Sequence, residues 1–169
     1  MEKKELELYI HIPFCVRKCN YCDFLSFPAD EDTQRQYVKA LCKEIFYYGA
    51  HCRDYVVSTV YIGGGTPSWL WESDMAEIMD AVHKNFALLP DAEVSVECNP
   101  GTVTAQKFAV YRQSGINRIS LGLQSAQNVE LKMLGRIHTW EQFLKTYELA
   151  RSGGFSNINV DLMSSLPGQ

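Results

Sequence analysis

The segment Cys15-Val-Arg-Lys-Cys19-Asn-Tyr-Cys22 places three cysteines on one short stretch, directly behind an apolar run. Cysteine thiolates are the usual ligands of iron–sulfur clusters, and a [4Fe–4S] cube normally takes four of them. A cube held by Cys15, Cys19 and Cys22 leaves one iron open to a small molecule with an amine and a carboxylate. The C-x3-C-x2-C spacing also differs from the paired cysteines of structural zinc sites. The spacing therefore predicts a [4Fe–4S] cluster with one open iron.

The alternative is that these cysteines are buried or disulfide-bonded. Buried cysteines are common, but Arg17, Lys18 and Asn20 lie between these three and suit a core segment poorly. Disulfides are disfavoured because residues 1–5 have none of the features of a secretory signal, so we expect a reducing cytoplasm. The remaining cysteines are scattered along the chain, and we interpret them as structural: Cys42, Cys52 and Cys98.

Composition excludes two classes of partner. With 46% hydrophobic and 21% charged residues, the 169-residue chain is typical of a soluble globular protein, and no segment predicts a transmembrane span. The formal net charge of −4, without a run of basic residues, is unsuited to a phosphate backbone. We expect no nucleic-acid partner and no membrane insertion.

Strand patterns and helix patterns alternate along the whole chain. Strands are predicted at 6–12, 56–62, 93–99, 118–124 and 157–163. Helices are predicted between them at 33–49, 73–86, 104–113, 129–134 and 140–153. Repeated βα units mean right-handed crossovers and a parallel sheet, so the fold class is α/β. A closed (β/α)8 barrel takes about 250 residues, and five units cannot close it. We therefore expect a partial TIM-like barrel, with residues 1–169 as the N-terminal part of an incomplete core domain.

Local signals indicate where the helices begin and which faces they bury. Asp32 or Thr33 is predicted to cap the first helix, Ser73 the second, and a Thr139–Gln142 capping box the last. The predicted apolar face of the first helix consists of Val38, Leu41, Cys42, Ile45 and Phe46.

A glycine-rich loop, Gly63-Gly-Gly-Thr-Pro-Ser68, follows the second strand. Three glycines allow main-chain N–H and C=O groups to approach a ligand without side chains in the way. A flexible turn is the alternative, although a turn needs fewer glycines. The loop is not a Walker loop and not a G-x-G-x-x-G loop. We expect it to bind a polar small molecule.

Polar side chains share one phase of the last three strands. Glu97, Gln124 and Asp161 stand opposite the apolar phase and should project into the barrel lumen near the strand ends, where parallel α/β folds place their sites. The alternative, for each residue taken alone, is that it simply ends its strand at the solvent. Arg136 could pair with a ligand carboxylate, although a lone arginine is more often a surface residue.

Several segments together resemble a known family in order and spacing. These segments are Tyr9–Cys15, the cysteine triplet, Gly63–Ser68, Glu97–Pro100, Leu121–Ser125, Leu134–His138 and Asp161–Gly168. They are similar to the oxygen-independent coproporphyrinogen III oxidase-like proteins of the radical S-adenosylmethionine (SAM) superfamily, and most to the haem chaperone subgroup. The resemblance covers essentially the whole chain.

The resemblance implies a cofactor and its contacts. SAM would chelate the open iron and be cleaved to a 5′-deoxyadenosyl radical, with the cluster on Cys15, Cys19 and Cys22. Tyr9 and Tyr21 would lie beside SAM, and Gly64, Gly65 and Thr66 would contact its methionine end. The residues implied along the lumen are Glu97, Gln124, Arg136 and Asp161. Cys98 stands where the family is expected to carry a small residue, but it faces the helices.

Two functions are compatible with the resemblance. One is radical decarboxylation of coproporphyrinogen III; the other is haem binding and transfer to an acceptor protein. The decarboxylases carry a further cysteine two residues after the third cluster cysteine, whereas this chain has Asp23-Phe24 there, which favours the carrier. An unrelated iron–sulfur electron carrier would leave the glycine loop unexplained.

The expected partners are haem or porphyrin, a haem-acceptor protein, and an electron donor such as flavodoxin or ferredoxin. No catalytic residue is assigned, and the candidate haem ligands are His11, His51, His83 and His138.

Overall fold

Five parallel strands form one sheet, in the spatial order in which they occur along the chain. The computed structural model describes residues 4–169; residues 1–3, part of the segment in which no signal is expected, lie outside that range. The strands are β1 (Lys4–Ile12), β2 (Tyr55–Gly64), β3 (Leu88–Cys98), β4 (Arg118–Gln124) and β5 (Asn157–Leu162). Each strand pairs in parallel with the next, which confirms the predicted α/β class.

Helices connect consecutive strands, as parallel pairing requires. They are α1 (Glu31–His51), α2 (Glu72–Asn85), α3 (Ala105–Gln113), α4 (Asn128–Met133) and α5 (Trp140–Ser152). A short 3₁₀ turn at Pro67–Trp69 follows β2. Within residues 4–169, no helix is both long and apolar enough to cross a membrane.

The core lies between the sheet and the helices. The apolar phases of β3 and β4 are almost fully buried there, as predicted, with Val96, Ile119 and Leu121 at the centre. The prediction was wrong for Leu162, which is 67% exposed. Its strand, β5, is the edge of the described sheet and has a neighbour on one side only.

Helix α1 begins earlier than the sequence signals predicted. Asp30 is its N-cap, and the carboxylate accepts a hydrogen bond from the backbone N–H of Thr33 (2.9 Å). The predicted cap at Asp32 or Thr33 was therefore wrong by two or three residues, because the capping oxygen reaches forward to Thr33. Phe46 was placed on the apolar face but is 65% exposed.

The other two predicted caps had opposite outcomes. Helix α2 begins after Trp71 without a side-chain cap, so the prediction for Ser73 was wrong. The capping box of α5 is confirmed: Gln142 Oε1 accepts from the Thr139 N–H (2.9 Å), and Thr139 Oγ1 accepts from the Gln142 N–H (3.4 Å).

Candidate cluster and cofactor site

The three-cysteine loop lies at the carboxyl end of β1, as its position behind the apolar run predicted. It is closed at its base by two backbone hydrogen bonds. The Cys15 N–H donates to the Phe27 carbonyl (3.1 Å), and the Phe27 N–H donates to the Pro13 carbonyl (2.9 Å). The rings of Phe14 and Phe27 pack edge to face beneath this closure, with centroids 5.7 Å apart. The loop thus has a fixed base on the core.

The polar residues between the cysteines attach the loop to the turn after α4. Arg17 Nη2 donates to the Gly135 carbonyl (2.7 Å), and Asn20 Nδ2 donates to the Met133 carbonyl (2.8 Å). The Asn20 N–H adds a bond to the Leu134 carbonyl (3.0 Å). Gly135 has a φ of 75°, and a Cβ there would stand 2.9 Å from Asn20 Oδ1, so the turn requires glycine. These contacts between distant segments carry no local sequence signal.

All three thiols of the loop line a single cleft of about 470 Å³. None of the chain's six cysteines forms a disulfide. Among residues 4–169, no three His, Cys, Asp or Glu side chains converge closely enough to hold one metal ion. A cube binds each thiolate to a different iron, so its ligands stand farther apart than those of a single ion. Three thiols around a roomy cleft therefore fit a cluster better than a mononuclear site.

Two of the other cysteines lie outside the three-cysteine loop. Cys42 lies on α1 with its Sγ 3.9 Å from the Glu77 carbonyl oxygen. Cys98 borders the cleft at the end of β3, but it is only 2% exposed, and burial raises the pKa of its thiol to about 12. Both thus stay neutral thiols, unsuited to metal binding.

The backbone N–H groups of the glycine loop bind the protein itself. Gly65 N–H donates to the Ile12 carbonyl (2.8 Å), and Thr66 N–H donates to the Phe14 carbonyl (2.7 Å). A Cβ at Gly65 would lie 2.6 Å from the Phe14 oxygen, so glycine is required by close approach of the two loops. The expectation that these N–H groups face a ligand was wrong for Gly65 and Thr66.

Glu97 joins β2 to β3 beside the cleft. One carboxylate oxygen accepts from the Tyr61 hydroxyl (2.8 Å) and the other from the Gly64 N–H (3.0 Å). Burial raises the pKa of Glu97, and these two hydrogen bonds oppose that rise. A Cβ at Gly63 would approach Glu97 Oε2 to 3.1 Å, so the glycines also make room for this carboxylate.

Gln124 and Asp161 line the same cleft, where the alternation of side chains predicted them. A register shift between Gly122 and Gln124 ends the regular ladder, and Gln124 has a left-handed φ of 73°. Asp161 accepts from Asn159 Nδ2 (2.7 Å) and from the Ser120 hydroxyl (3.3 Å). Polar neighbours thus orient this carboxylate at the mouth of the cleft.

Arg136 reaches back from the turn after α4 into the cleft. Its Nη2 donates to Asn99 Oδ1 (2.7 Å) and to the Gly122 carbonyl, and its Nη1 lies 3.7 Å from Cys19 Sγ. Its Nε is buried without a hydrogen-bond partner in the described chain. Asn99 lies within the Glu97–Pro100 segment but was not predicted as a site residue.

The two tyrosines differ in their relation to the cleft. Tyr21 lines it, whereas Tyr9 does not and is 61% exposed. The Tyr9 ring stacks on Tyr61 at 6.2 Å, and its hydroxyl contacts His11 Nδ1 (3.1 Å). Tyr61 itself lines the cleft, and applying the alternation argument to β2 would have found it.

His138 is a buried base next to the site. It is 4% exposed, its Nε2 has no partner in the described chain, and burial with the nearby charge of Arg136 lowers its pKa to about 4. In the unfolded chain this histidine has its ordinary pKa of about 6.5. Between about pH 6.5 and 4 the unfolded state therefore binds more protons than the folded state. The free energy of unfolding should therefore decrease as the pH is lowered through that window, by about 1.5 kcal/mol between pH 6.5 and 5.

Denaturant unfolding of wild type and His138→Gln at pH 7.5 and pH 5 tests this expectation. The variant should lose less stability on acidification, whereas His51→Gln, at an exposed histidine, should match wild type. Equal pH dependence in His138→Gln and wild type would contradict the assignment.

Comparison with known proteins relates this architecture to one superfamily. Residues 9–169 match the family described as the Radical SAM superfamily. The chain is 43% identical over 165 residues to the heme chaperone HemW of Escherichia coli K12, covering 97% of this chain and 44% of that protein. It is 37% identical over 164 residues to HemW of Bacillus subtilis 168, covering 95% and 43%. The chain thus spans less than half the length of these relatives.

Solved structures support the same fold. The coproporphyrinogen III oxidase HemN of E. coli, described as a radical SAM enzyme, superimposes with a TM-score of 0.91 at 31% identity, over 99% of this chain and 39% of that one. Elp3 of Methanocaldococcus infernus superimposes at 0.60 with 16% identity, over 100% of this chain and 40% of that one, which indicates likeness of fold alone.

Proposed function

Because this chain belongs to the radical SAM superfamily, we propose that Cys15, Cys19 and Cys22 bind a [4Fe–4S] cluster with SAM at the open iron. When bound, the cluster supplies an electron for reductive cleavage of SAM. The protein's own part is to hold three thiolates around the cleft and to keep the nearby Cys98 thiol buried and protonated. The backbone closure at Phe27 and the attachment of Asn20 support this role, because they fix the base and the middle of the loop.

We assign the polar lining of the cleft to SAM. Glu97 and Asp161 each retain lone pairs beyond their protein partners, and these can accept from hydroxyl or ammonium groups. The carbonyl oxygens of the glycine loop can accept from an ammonium group as well. Arg136 carries a buried N–H without a partner, which suits a carboxylate. Gln124 lines the same cleft, and its amide can both donate and accept.

We further propose that the protein is a haem chaperone rather than a coproporphyrinogen oxidase. Phe24 carries this proposal: it lines the cleft and is 69% exposed, at the position where the decarboxylases carry a further cysteine. The relatives named heme chaperone are consistent with it. The oxidase remains the second candidate because HemN shares the fold so closely.

Among the four candidate haem ligands, we assign His51. His11 uses both ring nitrogens, at Tyr9 and Leu25, and His138 is buried. His83 uses Nε2 at the Ser114 carbonyl, and unlike His51 its ring has no aromatic neighbour in the described chain. His51 lies at the exposed end of α1, and its Nδ1 contacts the Tyr47 carbonyl (2.7 Å), which leaves Nε2 for a metal.

The Tyr47 ring packs 4.6 Å from the His51 ring and 5.4 Å from Tyr48, and both tyrosines are exposed. A planar porphyrin can stack on such rings. We propose that haem passes from this surface to an acceptor protein, that flavodoxin or ferredoxin reduces the cluster, and that the protein works in the reducing cytoplasm. The disulfide-free cysteines support that compartment.

Parallel assays on the anaerobically reconstituted protein test this function. We expect a haem Soret band on titration with haemin and no protoporphyrinogen from coproporphyrinogen III with SAM and reductant. His51→Ala should weaken haem binding about tenfold or more, whereas His83→Ala should leave it unchanged. Formation of protoporphyrinogen would favour the oxidase, and haem binding equal to wild type in His51→Ala would place the ligand elsewhere.

A further inference from the structure

A continuous chain of hydrogen bonds connects two of the three loop sulfurs through side chains outside the loop. Arg136 Nη1 donates to Cys19 Sγ (3.7 Å), and Arg136 Nη2 donates to Asn99 Oδ1 (2.7 Å). Asn99 Nδ2 donates to Thr66 Oγ1 (2.9 Å), and that hydroxyl donates to Cys15 Sγ (3.4 Å). Asn99 therefore stands at the middle of a path that ends on a sulfur at each side.

The chemistry of the groups fixes the direction of every bond. A guanidinium group has no acceptor, so the Asn99 atom that faces Arg136 must be the amide oxygen. The amide nitrogen then faces Thr66 and donates to its oxygen. A hydroxyl has one proton, and with its oxygen accepting from Asn99 that proton is available to the Cys15 sulfur. Both ends of the path therefore donate to sulfur.

Both the backbone and the side chain of Asn99 are held in place by neighbouring residues. Its backbone N–H donates to the Ser68 hydroxyl (3.1 Å), and its carbonyl accepts from the Thr102 hydroxyl (2.8 Å). A Cβ on Gly122 would stand 2.9 Å from Asn99 Oδ1, so the neighbouring strand has room for this amide only because residue 122 is glycine. Such support is typical of a side chain whose orientation matters to its neighbours.

We propose that Asn99 is a positioning residue that raises the reduction potential of the cluster, by directing Arg136 and Thr66 toward the Cys19 and Cys15 sulfurs. This inference rests on the proposed cluster. Reduction adds negative charge to a cluster and its thiolates, and donors to sulfur stabilise the reduced form. Ligand partners of this kind tune the potential without binding the metal.

A redox titration of the reconstituted protein, followed by electron paramagnetic resonance in the absence of SAM, measures the effect directly. Asn99→Ala should keep its iron but show a more negative midpoint potential than wild type. Asn117→Ala is the matched control. Asn117 is also a part-buried asparagine with two hydrogen bonds, from the Val94 N–H and to the Ala92 carbonyl, and it contacts no sulfur. Its variant should retain the wild-type potential.

A second pair of variants tests the hydrogen bond from Thr66 to the Cys15 sulfur. Thr66→Val keeps the shape but loses the donor, so the potential should fall, whereas Thr66→Ser keeps the hydroxyl and should restore it. This pair decides the inference if Asn99→Ala does not hold iron. A wild-type potential in both Asn99→Ala and Thr66→Val, or an equal fall in Asn117→Ala, would overturn it. Wild-type protein without iron would instead refute the proposed function.

Discussion

Replacing any one of Cys15, Cys19 or Cys22 by alanine should reduce the iron content of the reconstituted protein from about four per chain to almost none. A cube with one open iron has only three protein ligands, so the loss of one leaves a second iron without a ligand. All three thiols lie on the same loop at the cleft. Cys98 borders the cleft but should not substitute, since it is almost fully buried and burial keeps its thiol protonated. Iron analysis and the broad visible absorption, which should bleach on reduction, measure the result.

Cys42→Ala is the matched control for this experiment. Cys42 is also a free cysteine, but it lies on α1 against the Glu77 carbonyl. Its variant should bind iron and bleach like wild type. A normal cluster in Cys19→Ala, or loss of the cluster in Cys42→Ala, would show that the wrong cysteines were assigned.

Replacing Glu97 or Asp161 by alanine should weaken SAM binding by roughly one to two decades while iron content stays unchanged. Both carboxylates line the cleft, yet neither is a cluster ligand in the proposed site. Loss of a hydrogen bond to a charged group costs on the order of 1.5–3 kcal/mol, which corresponds to that range of affinity. Equilibrium binding of SAM to reconstituted protein provides the measurement.

Two further variants separate charge from fold in this prediction. Glu97→Gln retains an amide oxygen that can accept from Tyr61 or Gly64, so the fold should persist while the charge-assisted bond to SAM is lost. Glu93→Ala removes a carboxylate on the same strand that contacts Ser95 and lies outside the cleft, and it should bind SAM normally. Unchanged SAM affinity in both Glu97→Ala and Asp161→Ala would contradict the assignment of SAM to this wall of the cleft.

The positions of the strands and the polar wall were predictable because both follow from short-range periodicity. A buried parallel strand alternates its side chains strictly, so the phase of Val96 determined that of Glu97. The same rule placed Asp161 correctly, and the cysteine loop followed from its position behind β1. Resemblance to the superfamily supplied what periodicity cannot, namely the cofactor that the wall is proposed to bind.

The remaining features depend on which distant segments meet. The sequence shows that Arg17 and Asn20 are polar, but not that they bind the turn at Gly135. It shows three glycines, but not that the N–H of Gly65 is used by β1. Asn99 was missed for the same reason, because its role arises from the contact with Arg136, contributed by a turn far along the chain.

The attachment of the cysteine loop to the turn after α4 also has a consequence for the order of folding. The bond from Arg17 to the Gly135 carbonyl spans 118 positions, and the bond from Asn20 to Met133 spans 113. Contacts of such high sequence separation carry the largest chain-closure entropy and tend to form last. During synthesis the cysteines leave the ribosome well before the segment that will hold their loop. We therefore expect iron to be acquired after the first four strands have assembled, so that metal insertion is one of the final steps of maturation.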